Sequence, residues 1–268
     1  MDAKEFLVAL KVKTGYDFCD YSEQSISRRL LKICEEQNIQ FEQLLDKVIA
    51  DSLYMARFVE DITVNTTELF RDPIVWISLY KTLYQRLRTT GIITFWHIGC
   101  SVGLETYSNL ILLKERGLID RVRVFGTDLN PRVLNVARKG LYAYKFNSHF
   151  KNNFEEVMSG IGSKSKFEDY FDVDEVKDTM AVKPFLTEIP KYMQQNLVME
   201  KCPFPYKVDV VFVRNVLIYF NDVLQTKIMQ MIDSKTYDKA VLILGKQEMI
   251  PTKYSGQYEQ VGYYHKRM

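Results

Sequence analysis

Residues 208–220 (VDVVFVRNVLIYF) carry the clearest hydrophobic pattern of the chain. An apolar, β-branched run from Val208 to Val213 stops at the polar pair Arg214-Asn215, and a second apolar run with two aromatic residues follows. This pattern is typical of a buried parallel strand that ends at polar side chains. Because ligands of open α/β sheets bind at the carboxyl ends of the strands, the pair is predicted to face a ligand.

Two earlier segments predict neighbouring strands of the same sheet. Residues 93–100 form an apolar run that ends in a glycine-containing turn, and residues 121–128 form a run that ends in Asp128. A helical pattern follows each of them, over 103–116 and 130–139. Strands and helices that alternate at this spacing predict a parallel sheet with helices on both faces.

The remainder of the C-terminal half gives weaker patterns. Residues 145–190 are polar and irregular, and no elements are assigned to them. The pattern then predicts a strand end within 194–198, a helix over 221–233, a buried strand over 239–245 and a closing edge strand or hairpin over Tyr258–Arg267.

The first 60 or so residues show helical periodicity without a clear strand. Helices are predicted over 25–39, 41–49 and 51–62, and a further helix over 73–90, whose first turn accepts Pro73. Between them, 63–73 is a polar junction in which Thr66 or Thr67 could cap a helix starting near Glu68. The predicted divisions are a helical domain over 1–62, a linker and helix over 63–90, and an α/β domain over 91–268.

Composition adds mainly exclusions. The 268 residues are 47% apolar and 26% charged, with a net charge of +2, which gives no general case for nucleic-acid binding. No apolar run approaches the roughly 20 residues of a membrane span, and the N-terminus lacks a signal-peptide pattern. The four cysteines are scattered without CxxC pairs, so no metal site is predicted and a reducing cytoplasm is the expected location.

Three strand ends supply candidate binding residues, each with a structural alternative. The turn GCSVG (99–103) could bring backbone N–H groups to a ligand, or could be an ordinary strand–helix turn. Asp128 could accept hydrogen bonds from ribose hydroxyls, or could cap the helix that begins at Pro131, with Asn130 as its rival. Arg214 and Asn215 could bind a ligand or tie loops together, and the apolar runs on both sides favour binding.

Two polar groups outside the sheet complete the candidates. Asn65, Thr67 and Arg71 lie at the domain junction, where an arginine fork would suit a carboxylate, although the spacing alone favours a threonine cap and a surface arginine. Arg28, Arg29 and Lys32 make the N-terminal region locally basic, either as a solvated face or as a docking surface for an acidic helix. The three histidines, His97, His149 and His265, show no partner spacing, and no chemistry is assigned to them.

At these residues the chain resembles the chemotaxis receptor methyltransferases, the CheR family. VFVRNVLIYFN is similar to the family's C-R-N-V-L-I-Y-F motif almost residue for residue. Four further segments resemble family motifs in the same order along the chain: YSEQSISRRLLKICEEQNI (21–39), NTTELFRDP (65–73), WHIGCSVGLETYS (96–108) and GTDLNPRVLNVARKGLY (126–142).

The resemblance implies a Rossmann-like α/β domain that uses S-adenosyl-L-methionine (SAM), joined to a small all-helical receptor-docking domain. It implies methyl transfer to glutamate side chains of chemoreceptor cytoplasmic helices. Apart from the resemblance, we expect a monomer that does not insert into a membrane. Arg71 would be catalytic, together with a tyrosine from 258–264, and Arg28, Arg29 and Lys32 would dock the receptor. The implied cofactor residues are Asn65, Thr67, Arg71, Gly99, Glu105, Asp128, Asn196, Leu197, Asn215 and Val216.

The chain departs from the family pattern in ways that bear on activity. The family's T-G-E-E becomes Val102-Gly103-Leu104-Glu105, so one of two acids is lost, and the small residues after Tyr-Ser become Asn109-Leu110. The lost acid predicts weakened SAM binding, and it keeps open the alternative of a SAM-binding or receptor-binding regulatory module with little or no turnover. Some family members bind a receptor-tail peptide through a β-subdomain within the region that corresponds to 145–190.

Overall fold

The computed structural model describes residues 1–63, 67–87, 90–145, 149–198 and 201–268. The N-terminal part is a bundle of four helices: α1 Ala3–Thr14, α2 Glu23–Gln37, α3 Phe41–Ala50 and α4 Ser52–Ile62. Local signals set the helix ends. Asp2 and Glu5 form a capping box at the start of α1, and Gly15 ends it with a φ of 79°. The bundle buries its own apolar core, in which Phe6, Leu30 and Phe58 are almost fully inaccessible to solvent.

A seven-stranded sheet organises the rest of the chain. Its strands are β1 Ile93–Ile98, β2 Val122–Asp128, β6 Pro190–Gln194, β7 Val208–Val213, β8 Thr236–Leu244, β9 Tyr258–Val261 and β10 Tyr264–Arg267. The spatial order is β6-β2-β1-β7-β8-β10-β9. The first five strands are parallel, and β9 and β10 form an antiparallel hairpin against β8. The predicted α/β class and the C-terminal hairpin are therefore confirmed.

Helices cover both faces of this sheet, as the alternating pattern predicts. They are α5 Pro73–Thr82, α6 Leu104–Glu115, α7 Pro131–Lys139, α8 His149–Ile161, α9 Pro184–Thr187, α10 Asp222–Lys235 and α11 Thr252–Ser255. Side chains of β1 alternate between two cores, because successive residues of a strand point to opposite faces. Phe95 packs into the core beneath α5 and α6, and Trp96 packs into the core beneath α10.

Residues 145–190, expected to be irregular, contribute two of the three strands of a second small sheet. Its strands β3 Leu141–Ala143, β4 Phe171–Asp174 and β5 Thr179–Val182 are antiparallel, in the order β3-β5-β4. Strands of three or four residues are too short to show a two-residue period, so the sequence pattern did not identify them. Phe154 of α8 ties this region to the main core, with its ring centroid 6.1 Å from that of Phe70.

Two helix predictions at the junction are wrong. The helix predicted over 73–90 ends at Thr82 and is followed by a single 3₁₀ turn, Tyr84–Arg86. The Tyr84 side chain is buried and bonds to Asn109, which gives a tertiary reason for the chain to leave the helix axis. No helix starts near Glu68, because residues 67 and 68 have no regular secondary structure, residues 69 and 70 form a turn, and α5 begins only at Pro73. Thr66, one of its two predicted caps, lies outside the described residues.

The helical bundle contacts the carboxyl edge of the sheet on two sides. On one side, the Ser22 backbone N–H donates to the Tyr219 carbonyl at 2.7 Å, and the rings of Tyr21 and Phe220 meet edge to face. On the other side, Arg132 of α7 pairs with Glu60 of α4 at 3.2 Å. No helix within the described ranges is both long enough and apolar enough to cross a membrane.

Candidate functional site

A cavity lies between the carboxyl edge of the sheet and the helical bundle. The strand side contributes the residues that follow β1, β2, β6 and β7, and the bundle side contributes α2 and the end of α4. Within the described residues, every predicted cofactor residue lines it: Thr67, Arg71, Gly99, Glu105, Asp128, Asn196, Leu197, Asn215 and Val216. Asn65 lies outside the described residues.

The turn after β1 lies very close to the loop after β7. Gly99 adopts a φ of 64°, and a Cβ atom there would lie 2.5 Å from Val216 Cγ2. Asn215 also has a positive φ, of 59°. Only glycine tolerates both the left-handed backbone and the close approach at position 99. The Gly99 backbone therefore packs directly against the Val216 side chain at the floor of the cavity.

Asp128 closes the second strand end. Its carboxylate accepts from the backbone N–H of Ser101 at 2.9 Å and from that of Asn130 at 3.0 Å, which ties the first and second strand ends together. Asn130 caps α7 through the Arg132 N–H, so the rival to Asp128 holds the capping role. Burial raises the pKa of the Asp128 carboxyl, and its backbone hydrogen bonds act in the opposite direction.

Arg214 takes the structural role that the sequence analysis gives as its alternative. Its side chain is 2% exposed and pairs with Asp72 at 2.9 Å and with Glu105 at 3.5 Å. Asp72 pairs in turn with Lys246 at 2.8 Å. The guanidinium of Arg214 therefore ties the end of β7 to the residue before α5 and to the first turn of α6. Arg214 and Asn215 both line the cavity, so the expectation that the pair faces a ligand stays a prediction.

Glu248 is the functional residue that sequence reasoning missed most clearly. Its Oε1 accepts from the backbone N–H groups of Val216 and Leu217 at 2.7 Å and of Ile218 at 3.4 Å. Its Oε2 accepts from Asn215 and Gly245 at 2.7 Å each. One buried carboxylate thus fixes the loop after β7. The available signal was the segment Gly245–Glu248, which stands where the CheR family has G-[HS]-[SK]-E and retains only the glycine and the final acid.

The bundle side of the cavity is cationic and aromatic. Arg29 donates to the Ile62 carbonyl at 3.3 Å, and its guanidinium lies 5.7 Å from the ring centroid of Tyr219. Arg71 also lines the cavity, and among the described residues its guanidinium has no hydrogen-bond or ion-pair partner. Burial raises the pKa of the Tyr219 hydroxyl, while Arg29 and Arg71 act to lower it.

The tyrosine expected from 258–264 is not part of this cavity. The Tyr258 hydroxyl donates to Asp233 near the C-terminal end of α10, and Tyr263 and Tyr264 do not line the cavity either. Tyr21 and Tyr219 are the tyrosines of the cavity wall. Of the three basic residues predicted to dock a partner, Arg29 lies in the wall, and Arg28 and Lys32 are exposed on α2.

Leu104, which stands where the family has an acid, lies in the main core and is only 2% exposed. The expectation that its substitution removes a cofactor contact is therefore not supported, since the side chain does not line the cavity.

We predict that Leu104→Glu lowers the free energy of unfolding by about 3 kcal/mol or more, because a carboxylate would be buried without a partner. Chemical denaturation measures this; an unchanged midpoint together with tighter SAM binding would contradict it.

Comparison with known proteins gives two family matches. Residues 65–266 match "CheR methyltransferase, SAM binding domain", and residues 1–63 match "CheR methyltransferase, all-alpha domain". The protein named Cher3 of Pseudomonas putida is 28% identical over 264 residues, which cover 97% of this chain and 93% of that protein. The chemotaxis protein methyltransferase of Listeria monocytogenes is 27% identical (91% and 88% covered), and that of Borreliella burgdorferi is 26% identical (82% and 77%).

Proposed function

This chain belongs to the CheR methyltransferase family, whose cofactor is SAM, and we propose that it methylates glutamate side chains of chemoreceptor cytoplasmic helices. The curated relatives support a role in chemotaxis through their names. The observation that carries the substrate assignment is Arg71, a cavity arginine whose guanidinium has no partner among the described residues and is therefore available to a carboxylate. The cytoplasmic location and the monomeric state stay predictions.

The cavity fits a cationic, adenosine-containing cofactor. Two carboxylates, Glu105 and Asp128, line its strand side, where a SAM ammonium and ribose would need hydrogen-bond acceptors. Gln195 also lines it, and its buried Oε1 has no hydrogen-bond partner among the residues that the structure describes, so it can accept from an amino group such as that of adenine. We assign Asn196, Leu197, Asn215 and Val216 to the surfaces that would flank the cofactor.

The protein's task in this reaction is alignment and exclusion of water. SAM supplies a methyl group already activated by its sulfonium. A glutamate side chain, with an ordinary pKa near 4.3, is ionised at neutral pH, so no general base is required. Arg71 would orient the carboxylate, and the hydroxyl of Tyr219 lines the same wall. Tyr21, Ile26 and Ile62 of the bundle cover the cavity with largely apolar surface, which limits the access of water.

Incubation with methyl-labelled SAM and receptor cytoplasmic fragments tests the proposal. We expect label in the receptor fragment, released as methanol by mild base because the product is an ester. A fragment with its methylation-region glutamates changed to aspartate, one methylene shorter, is the matched control and should remain unlabelled. Base-stable label would indicate nitrogen methylation and contradict the glutamate assignment. SAM binding without any label transfer would favour the regulatory module.

We further propose that residues 1–62 dock the receptor through Arg28 and Lys32, which lie four residues apart on one exposed stripe of α2. The division of the chain at residues 62 and 90 stays a prediction. Lys32 makes only an exposed intrahelical pair with Glu36, so both cations remain accessible to an acidic partner.

We predict that Arg28→Glu combined with Lys32→Glu weakens receptor-fragment binding about tenfold at low salt and leaves SAM affinity unchanged. The physical reason is repulsion between the new carboxylates and an acidic helix. Near physiological salt, exposed charges are screened beyond about 8–10 Å, and this distance shortens as salt is added, so the effect should shrink at high salt. Lys164→Glu with Lys266→Glu makes the same change in net charge on exposed residues elsewhere and serves as the control. If both double variants weakened receptor-fragment binding equally, the effect would come from net charge alone, and the docking assignment would be overturned.

A further inference from the structure

His97 is completely buried beside the cavity and has defined partners on both ring nitrogens. Its Nδ1 lies 2.9 Å from Glu105 Oε1, and its Nε2 lies 2.9 Å from Asn109 Nδ2. The ring stacks on Phe212 at a centroid separation of 4.4 Å. Glu105 lines the cavity, and His97 does not. The imidazole therefore supports the cavity wall from behind.

The hydrogen-bond donors along this chain of groups fix the histidine tautomer. The Tyr84 hydroxyl contacts Asn109 Oδ1 at 2.5 Å, which orients the amide so that its NH₂ group faces His97. An amide NH₂ only donates, so Nε2 must accept and carry no proton. The proton then lies on Nδ1 and is donated to Glu105. Each group in this chain therefore donates a hydrogen bond to the next one, from the Tyr84 hydroxyl through Asn109 and His97 to the Glu105 carboxylate.

The geometry points to His97 as a positioning residue that holds Glu105 in the orientation needed for the amino-acid part of SAM, an inference that rests on the proposed function. One oxygen of Glu105 is fixed by His97, and the other faces Arg214 at 3.5 Å. Because Leu104 is in the core, Glu105 alone must serve the cofactor's ammonium from this turn. A carboxylate already held in place loses less conformational freedom when the ligand binds.

Asn109 is part of the same arrangement and follows Tyr-Ser, where the family motif has small residues. The amide contacts Nε2 and so prevents the imidazole from presenting its lone pair to Glu105. Asn109 is buried on α6, one helical turn beyond Glu105. Where the family has two acids in this turn, this chain thus has one, Glu105, whose carboxylate accepts a hydrogen bond from His97, and Asn109 orients that imidazole.

Two ligands separate positioning from general support of the fold. S-adenosylhomocysteine contains the amino-acid part, and methylthioadenosine lacks it. Calorimetry on His97→Phe, which retains a ring against Phe212, should show S-adenosylhomocysteine binding weakened about tenfold or more and methylthioadenosine binding unchanged. His97→Asn, whose amide can replace the Nδ1 donor, should recover part of the loss. Phe95→Leu, a buried change on the same strand, should lower the melting temperature without this selectivity.

Equal weakening of both ligands by His97→Phe, or unchanged binding of both, would overturn the positioning role. Nitrogen NMR of the wild-type protein gives an independent measurement, in which His97 should show a protonated Nδ1 and an unprotonated Nε2. An imidazolium signal would contradict the assigned direction of donation. If the wild-type protein binds neither ligand, or if Asp128→Ala leaves its binding unchanged, the proposed cofactor site itself fails, which is a different result from selective failure at His97.

Discussion

Glu248→Ala is expected to lower the free energy of unfolding by at least about 3 kcal/mol and to abolish measurable SAM binding. The Glu248 carboxylate accepts from five backbone N–H groups, those of residues 215–218 and Gly245. Hydrogen bonds to an ionised acceptor are stronger than neutral ones, and a buried donor left without a partner is costly. Since the same amides shape the loop of Asn215 and Val216, the cavity floor should be lost together with the stability.

Glu248→Gln distinguishes the charge from the shape of this side chain. Glutamine retains one acceptor oxygen but places an NH₂ group against N–H donors, either toward Val216 and Leu217 or toward Asn215 and Gly245. We therefore expect a destabilisation close to that of alanine, measured by urea denaturation, and at least a partial loss of SAM affinity by calorimetry. Wild-type stability in Glu248→Gln would show that this carboxylate does not hold the loop. Gln247→Ala, at the preceding exposed position, is the control.

The strands of the main sheet could be predicted because each one has a local pattern of apolar residues followed by polar ones. The apolar run Val208–Val213 and its polar end at Asn215 can be recognised without knowing which residues pack against them in the fold. The structure contains both the strand and the polar residue at its end, as predicted. The same holds for Asp128 at the end of β2. These positions depend on the general rule that parallel strands bring their carboxyl ends to one edge.

Contacts that support the site from outside could not be predicted. Glu248 lies 33 residues from Asn215 and bonds to its backbone, which has no side-chain signature in the sequence. His97 and Asn109 meet only because β1 and α6 pack face to face, and their separation of 12 residues has no period of its own. The partners of Arg214 could not be predicted for a related reason, since a position at a strand end is equally compatible with a ligand and with the carboxylates of Asp72 and Glu105 that it contacts.

Arg71→Ala is expected to reduce the methyl-transfer rate on a receptor fragment about 100-fold while SAM affinity falls by much less. The backbone carbonyl of Arg71 accepts from Trp76 Nε1 at 3.0 Å and from Arg214 at 3.4 Å, and neither contact uses the side chain. The substitution should therefore leave the fold intact. The lost group is the guanidinium that would hold the substrate carboxylate in line with the methyl group, where small displacements have large effects on rate.

Arg71→Lys refines this prediction, because lysine retains the positive charge but loses the planar fork that binds a carboxylate through two hydrogen bonds. Its rate should lie between those of the wild type and the alanine variant. Single-turnover transfer of label, with SAM saturating, measures the effect on the reacting complex. Arg57→Ala, which removes an exposed arginine of α4 outside the cavity, controls for the loss of one positive charge. Strongly weakened SAM binding together with an unchanged single-turnover rate in Arg71→Ala would place Arg71 in the cofactor site alone. The substrate carboxylate would then have to be oriented by Arg29 or Tyr219, which line the same wall.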